Sequence, residues 1–274
     1  MDSNNILYFI TYFIIYSFAG WLLESVSKTI AQKKFVNSGF LYGIFCPIYG
    51  FGALIMLLCL EGLKEKPILL FIVAFFVLSI WEYVVGVFLE KVFKTKYWDY
   101  SHLKFNIQGR VCLKNSLYWG ILGVAFICLL HPWLEGWIQK IPMNILLFSN
   151  SIIGIAMLVD LVLSSLAVVK LDSAIHTINE LSDNIKEKLE ELKEIKEKAK
   201  QKSEATQKVA IENMEHIIKE LKITQAKLKI RVYRHANRLK KAFPSMKSES
   251  IAKFLSQKID LRKLKENSKR KNKE

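Results

Sequence analysis

The sequence predicts an all-α fold: a five-helix transmembrane bundle with a polar re-entrant or interfacial cytoplasmic loop, followed by a cytoplasmic coiled-coil tail. Three observations predict it. Apolar runs of about 20 residues, long enough to cross ~30 Å of hydrocarbon at ~1.5 Å per residue, recur before residue 170. Charge divides unevenly: residues 1–170 hold 13 Lys+Arg against 9 Asp+Glu, a net of +4, and residues 171–274 hold 27 against 16, a net of +11. From Leu171 onward apolar residues step by four and three, the pattern of helices that pack along a seam. Two domains follow, 1–170 in the membrane and 171–274 in water.

The expected spans are about 6–28, 43–63, 67–90, 115–138 and 144–169. The N-terminal MDSNN has no basic run, so the first apolar stretch reads as a retained span rather than a cleaved signal. The first loop (Lys28, Lys33, Lys34) and the third (Lys91, Lys94, Lys96, Lys104, Arg110, Lys114) are basic. In the second, Glu61 and Glu65 offset Lys64 and Lys66, and the fourth has only Lys140. Basic loops stay cytoplasmic, which places the N-terminus outside and the C-terminus inside, an answer that needs an odd number of spans.

Ionisable residues inside spans cost at least ~2.5–3.5 kcal/mol and usually face the bundle interior in pairs. Glu24, Glu82 and Asp160 all fall roughly 22–27 Å below the outer surface, in the cytoplasmic third, and Glu90 marks the inner interface. Glu82, Gly86 and Glu90 share one helix face, where Gly86 lets another helix come close. The polar start of the second span lies on the same side. The counter-charge expected for these carboxylates is Arg110, in the aromatic stretch YWDYSHLKFNIQGRVCLKNSLYWG at 97–120. Two readings of that stretch stand: a cytoplasmic lid in which Arg110 and Asn106 cap the acidic cluster, or a loop anchored by its cations to lipid headgroups. The candidate substrate- or ion-binding set is Glu24, Asn37, Tyr49, Glu82, Glu90, Asp99, Asn106, Arg110 and Asp160.

Four blocks carry a resemblance: GWLLE at 20–24, VNSGFLYGIFCPIYGFGA at 36–53, WEYVVGVFLEKVF at 81–93, and the 97–120 stretch. In this order they resemble the bacterial multi-pass membrane proteins catalogued as type IV ABC-transporter permeases, the CmpB family, over residues about 8 to 170. Ser38 and Ile44 stand where the family usually has Arg and Pro, and Tyr97 where a second Trp is usual. The resemblance implies a multi-pass protein of the bacterial cell membrane and names no substrate.

In the tail, Leu171, Ile175, Ile178, Ser182, Ile185, Leu189, Leu192, Lys196 and Ala199 form one register. Ile211, Met214, Ile218, Leu221, Gln225, Leu228, Val232, His235 and Leu239 form a second, out of phase by one. The slip falls in Gln201–Lys208, as a turn giving an antiparallel hairpin or a stutter giving one rod. Pro244 ends the second helix. A short amphipathic helix carrying Ile251, Phe254, Leu255, Ile259 and Leu264 is expected next, and the final NSKRKNKE is expected to be disordered. The basic run RVYRHANRLKKAF at 231–243 suits an anionic leaflet better than nucleic acid, or is a solvated face.

No GxxxxGK[ST] loop occurs, so a transporter built on this chain needs a separate ATPase subunit. Neither HExxH nor GxSxG occurs, and the five histidines and four cysteines lack ligand spacing, so neither an enzyme, a metal site nor a cofactor is expected. Five short-looped helices make a small bundle, and homo-oligomerisation is expected. Two functions remain: a permease-like transport component, or a membrane-anchored scaffold or sensor working through its coiled coil.

Overall fold

A computed structural model of the chain describes residues 3–201 and 205–257. It divides into two compact units, one of residues Met1–Leu166 with Leu239–Ser248, the other of Ala167–Arg238 with the residues from Glu249 on. The sequence boundary at 170/171 keeps the tail whole. Here ten residues just before the last described helix join the membrane-type unit instead.

In the first unit α1 (Ser3–Gln32), α2 (Pro47–Leu60), α3 (Pro67–Phe93), α4 (Leu113–Ala125), α5 (His131–Ile138) and the start of α6 (Met143–Gln201) pack around a core that includes Leu57, Leu60, Leu70, Ala74 and Phe126. The α1–α2 contact is close because Gly20 lies against the Tyr49 ring and Gly50 against Ser17, where any Cβ would collide. Gly123 does the same for α4, lying against Ala74 of α3. Apolar side chains outside this core, such as Phe76, Ile80 and Phe88 on α3, are exposed and form the surface a bilayer covers.

Among the described residues four helices are long and apolar enough to cross a membrane: Asn5–Gln32, Pro67–Phe93, Leu113–Ile138 and Met143–Lys198. The span expected at 43–63 is shorter, an apolar helix over Pro47–Leu63. Its 17 residues rise only about 25 Å. Residues before Pro47 are drawn out of the helix because the Tyr42 and Gly43 amides bond the Asp160 carboxylate instead, at 3.0 and 2.7 Å. The span at 115–138 contains a π-helical turn, Phe126–Leu130, in which the His131 amide bonds Phe126 O. The wider turn makes room for Pro132, which has no amide to donate and whose ring would clash in a regular helix. His131 is buried there with Nδ1 3.0 Å from the Tyr16 hydroxyl.

The stretch between α3 and α4 is folded on itself. Strands β1 (Asn106–Ile107) and β2 (Val111–Cys112) pair antiparallel around Gln108 and Gly109, both left-handed (φ 51° and 66°), as a tight hairpin turn requires.

In the second unit the remainder of α6 and of α7 (Ala205–Ala242) lie antiparallel. The Lys196 ammonium bonds Glu215 at 2.6 Å, and the Gln225 amide bonds the Ser182 hydroxyl at 2.5 Å. Of the two alternatives for the phase slip, the antiparallel course of the described helix segments fits the hairpin; residues 202–204 lie outside those described. The described register positions on both helices are buried or half-buried up to Leu192 and from Ile211 on. The last described helix, α8 (Glu249–Ser256), buries Ile251 and Phe254. Ile259, Leu264 and the NSKRKNKE end lie outside the described residues.

Candidate functional site

Glu24 sits on α1 within reach of three donors. Its Oε2 accepts from Lys28 Nζ (2.6 Å) and Ser38 Oγ (2.7 Å), and its Oε1 from the Tyr49 hydroxyl (2.8 Å). Lys28 lies one turn along the same helix, so helical spacing alone brings the two charges together. Tyr49 reaches Glu24 because Gly20 lets α2 come close.

Glu82, on α3, is 6% exposed. Its carboxylate accepts from Trp119 Nε1 (3.0 Å) and from the Tyr100 hydroxyl (3.2 Å), both neutral donors. Burial, and then the Glu82 carboxylate beside it, push the Tyr100 phenol up, so it stays protonated and able to donate. The rings of Trp119 and Tyr49 have centroids 6.4 Å apart. Glu24, Tyr49, Trp119, Glu82 and Tyr100 thus form one connected polar–aromatic cluster drawn from α1, α2, α3, α4 and the folded loop.

Arg110 does not close that cluster, which corrects the expectation that one guanidinium balances all the carboxylates. Its Nη2 bonds Glu90 at 2.7 Å, its Nη1 bonds Gln108, and its guanidinium lies 5.7 Å from the Tyr83 ring. Gly86 serves this arrangement. A Cβ there would meet Trp98 at 3.3 Å and the Arg110 stem at 3.4 Å, so the close approach is by the loop and not by another helix. Arg110 directly follows the hairpin turn at Gln108 and Gly109, and Glu90 lies eight residues, about two turns, beyond Glu82 on α3, too far to share its cation.

The other predicted residues hold backbone. Asn37 accepts from Trp21 Nε1 (2.6 Å) and donates to Tyr42 O (2.7 Å). Asn106 accepts from the Gly109 amide (2.9 Å) and donates to Leu103 O (2.7 Å), bracing the hairpin rather than capping an acid. Asp160 caps the Tyr42 and Gly43 amides and accepts from Ser164 Oγ (3.1 Å), a set separate from Glu24 and Glu82. Asp99 accepts from Lys96 (2.6 Å), Ser101 (2.6 Å) and Lys247 (2.5 Å). Burial alone would raise its carboxyl, but the bonds from Lys247, Lys96 and Ser101 outweigh that and hold it well below the usual carboxylate range. Among the described residues no three His, Cys, Asp or Glu are grouped to hold a metal ion.

Lys28, Ser38, Tyr100 and Trp119 were not singled out by the sequence. Lys28 was within its reach, being four residues from Glu24 on a helix. Ser38 stands where the resembling family has Arg, and its hydroxyl takes a place on the Glu24 carboxylate next to Lys28. Tyr100 and Trp119 depend on how 97–112 folds.

The model of the family described as "Putative ABC-transporter type IV" matches residues 11–165, more than half of the chain and the stretch that holds Glu24, Tyr49, Glu82, Tyr100 and Trp119. No curated protein and no solved structure matches it.

Proposed function

The chain belongs to this ABC-transporter type IV family, and from that premise we propose that residues 1–170 act as a permease-like transport component with a polar site built on Glu24, Tyr49, Glu82, Tyr100 and Trp119. The observation that carries the reading is Glu82. It is a buried carboxylate inside a helix long and apolar enough to cross a membrane, and its Trp119 and Tyr100 partners are neutral donors. A carboxylate in that position is costly unless a proton or a cation joins it, so the site takes positive charge. The neighbouring faces of Tyr49, Tyr100 and Trp119 suit a cation as well. The site opens to the cytoplasm of a bacterial cell, with the N-terminus outside and the tail inside; Pro47–Leu63 crosses a locally thinned bilayer or pairs with a second copy. Glu90–Arg110 and Asp160 hold the loops around the site. Energy comes from a separate ATPase subunit, since the chain has no phosphate-binding loop of its own.

Glu82→Ala tests this. Transport-linked ATP hydrolysis by the complex purified from native membranes is expected to fall at least about tenfold, with membrane insertion and yield unchanged. Wild-type hydrolysis in that variant overturns the reading.

A second reading rests on a different observation. The α6–α7 hairpin carries a groove of about 460 Å³ lined by Leu189, Leu192, Ile218 and Ile223, with Lys219 and Lys222 at its rim. In this reading the hairpin works as a coiled-coil scaffold, and its basic run rests on anionic lipid. Removing residues 171–274 then abolishes the phenotype, whereas Glu82→Ala leaves it intact.

A further inference from the structure

Residues 239–248 lie outside the family match, yet they belong to the same compact unit as α1 and the 97–112 loop. Several of the contacts they make there fall on residues near the polar cluster. Lys96 and Lys247 exchange both backbone bonds, N to O at 3.0 Å and 2.8 Å, so the segment joins the loop through one isolated antiparallel bridge. The Phe243 ring meets Tyr97 edge-on with centroids 4.9 Å apart. Ser245 Oγ accepts from the Asp99 amide at 3.3 Å, and the Lys247 ammonium pairs with the Asp99 carboxylate at 2.5 Å. On the α1 side, Lys28 Nζ donates to Ala242 O at 2.6 Å and lies 5.3 Å from the Phe243 ring, while Gln32 donates to Lys241 O at 3.1 Å.

Lys28 is therefore shared. The same ammonium that pairs with Glu24 and Ser38 also holds the carbonyl of Ala242. We propose that residues 239–248 are a latch: a strap of the chain's own C-terminal region that docks on the 95–100 edge, shares Lys28 with Glu24, and by docking or lifting changes how tightly the Glu24 end of the polar cluster is held. The covalent chain supplies the input. The residues immediately before the strap belong to the second unit, so a load on that unit reaches the strap along the backbone. Docking is an intramolecular event at high effective concentration. The strap seats Leu239, Ala242 and Met246 as buried anchors, while its Lys247 side chain is 66% exposed, so opening starts at the Lys247 end. The latch holds whether or not the unit beneath it transports anything.

Amide hydrogen exchange on the full chain in lipid nanodiscs tests it. Lys247→Glu places a like charge on Asp99, and Phe243→Ala removes the ring between Tyr97 and Lys28; Lys247→Arg is the control that keeps the pair. Both disruptive variants are expected to speed exchange at Lys96 and Lys247 about tenfold or more, the loss of one charge-assisted bond. They are also expected to speed exchange at Val36 and Ser38, whose amides bond Thr29 and Ser25 beside Glu24 and Lys28. Lys247→Arg leaves both sets protected. Unchanged exchange at Lys96 and Lys247 overturns docking. Faster exchange there with no change at Val36 and Ser38 overturns the coupling to the cluster. A fall in protection everywhere, the control included, marks general unfolding and contradicts a local latch.

Discussion

Lys28 divides its three N–H bonds among Glu24, Ser38 and Ala242, and so one side chain ties α1, the 33–46 loop and the 239–248 strap. Replacing it by Met strips a half-buried carboxylate of its charged partner. The expected loss is about 1–3 kcal/mol, larger than for Glu24→Gln/Lys28→Met together, which leaves no charge uncompensated. Thermal unfolding of the two variants in detergent measures this. Asp99 gives a pH signature. Its carboxyl is held below the usual value in the folded chain, so it contributes stability above the unfolded value of about 4, lost as pH falls further toward the folded one. The stability gap between wild type and Asp99→Asn is thus expected to be constant from pH 7 to about pH 5 and to close in stronger acid; a gap that widens in acid contradicts the assigned partners. At this scale the sequence was half legible. The acidity of spans at Glu24 and Glu82 could be seen from their apolar neighbours, because burying a charge is costly wherever the helix lies. The partners could not, because Trp119 and Tyr100 reach Glu82 only after the 97–112 stretch has turned back on itself.

At the level of elements, close helix contacts depend on glycines, and the strength of each can be tested. Gly123→Leu drives a side chain into Ala74 and is expected to cost about 1–3 kcal/mol, whereas Gly154→Leu, on a position with nothing within 4 Å, is expected to change little. Denaturation midpoints of the two variants make the comparison. In the tail, Ser182 and Gln225, two of the four residues that interrupt otherwise apolar registers, bond one another. Such a half-buried polar pair sets register. Replacing both by Leu is expected to raise helix stability while loosening register, read as new cross-links between cysteines placed one heptad away from their facing positions. The tail's elements were legible because a seven-residue pattern persists over several turns, and the one-residue phase slip fell where α6 gives way to α7. Less legible was the second span. Its apolar composition continues back to residue 43, but composition does not register that Asp160, far along the chain, takes the Tyr42 and Gly43 amides and ends the helix at Pro47.

For the whole molecule, the family match and the polar–aromatic cluster fall in the same stretch, and the strap from outside it returns to that cluster. In the proposed function a buried carboxylate receives positive charge and is served by a nucleotide-hydrolysing partner. A chain lacking residues 171–238, with a short flexible linker joining the ends, is expected to keep the transport-linked hydrolysis and to lose only its control by the tail. The most direct test of the central claim is ATP hydrolysis by the full chain drawn gently from native membranes, wild type beside Glu82→Ala and Glu82→Gln. The expected result is a co-purifying ATPase subunit whose hydrolysis falls at least about tenfold in both Glu82→Ala and Glu82→Gln, because neither side chain can take up positive charge. A chain that comes away with no hydrolysis, or with hydrolysis indifferent to Glu82, would contradict it.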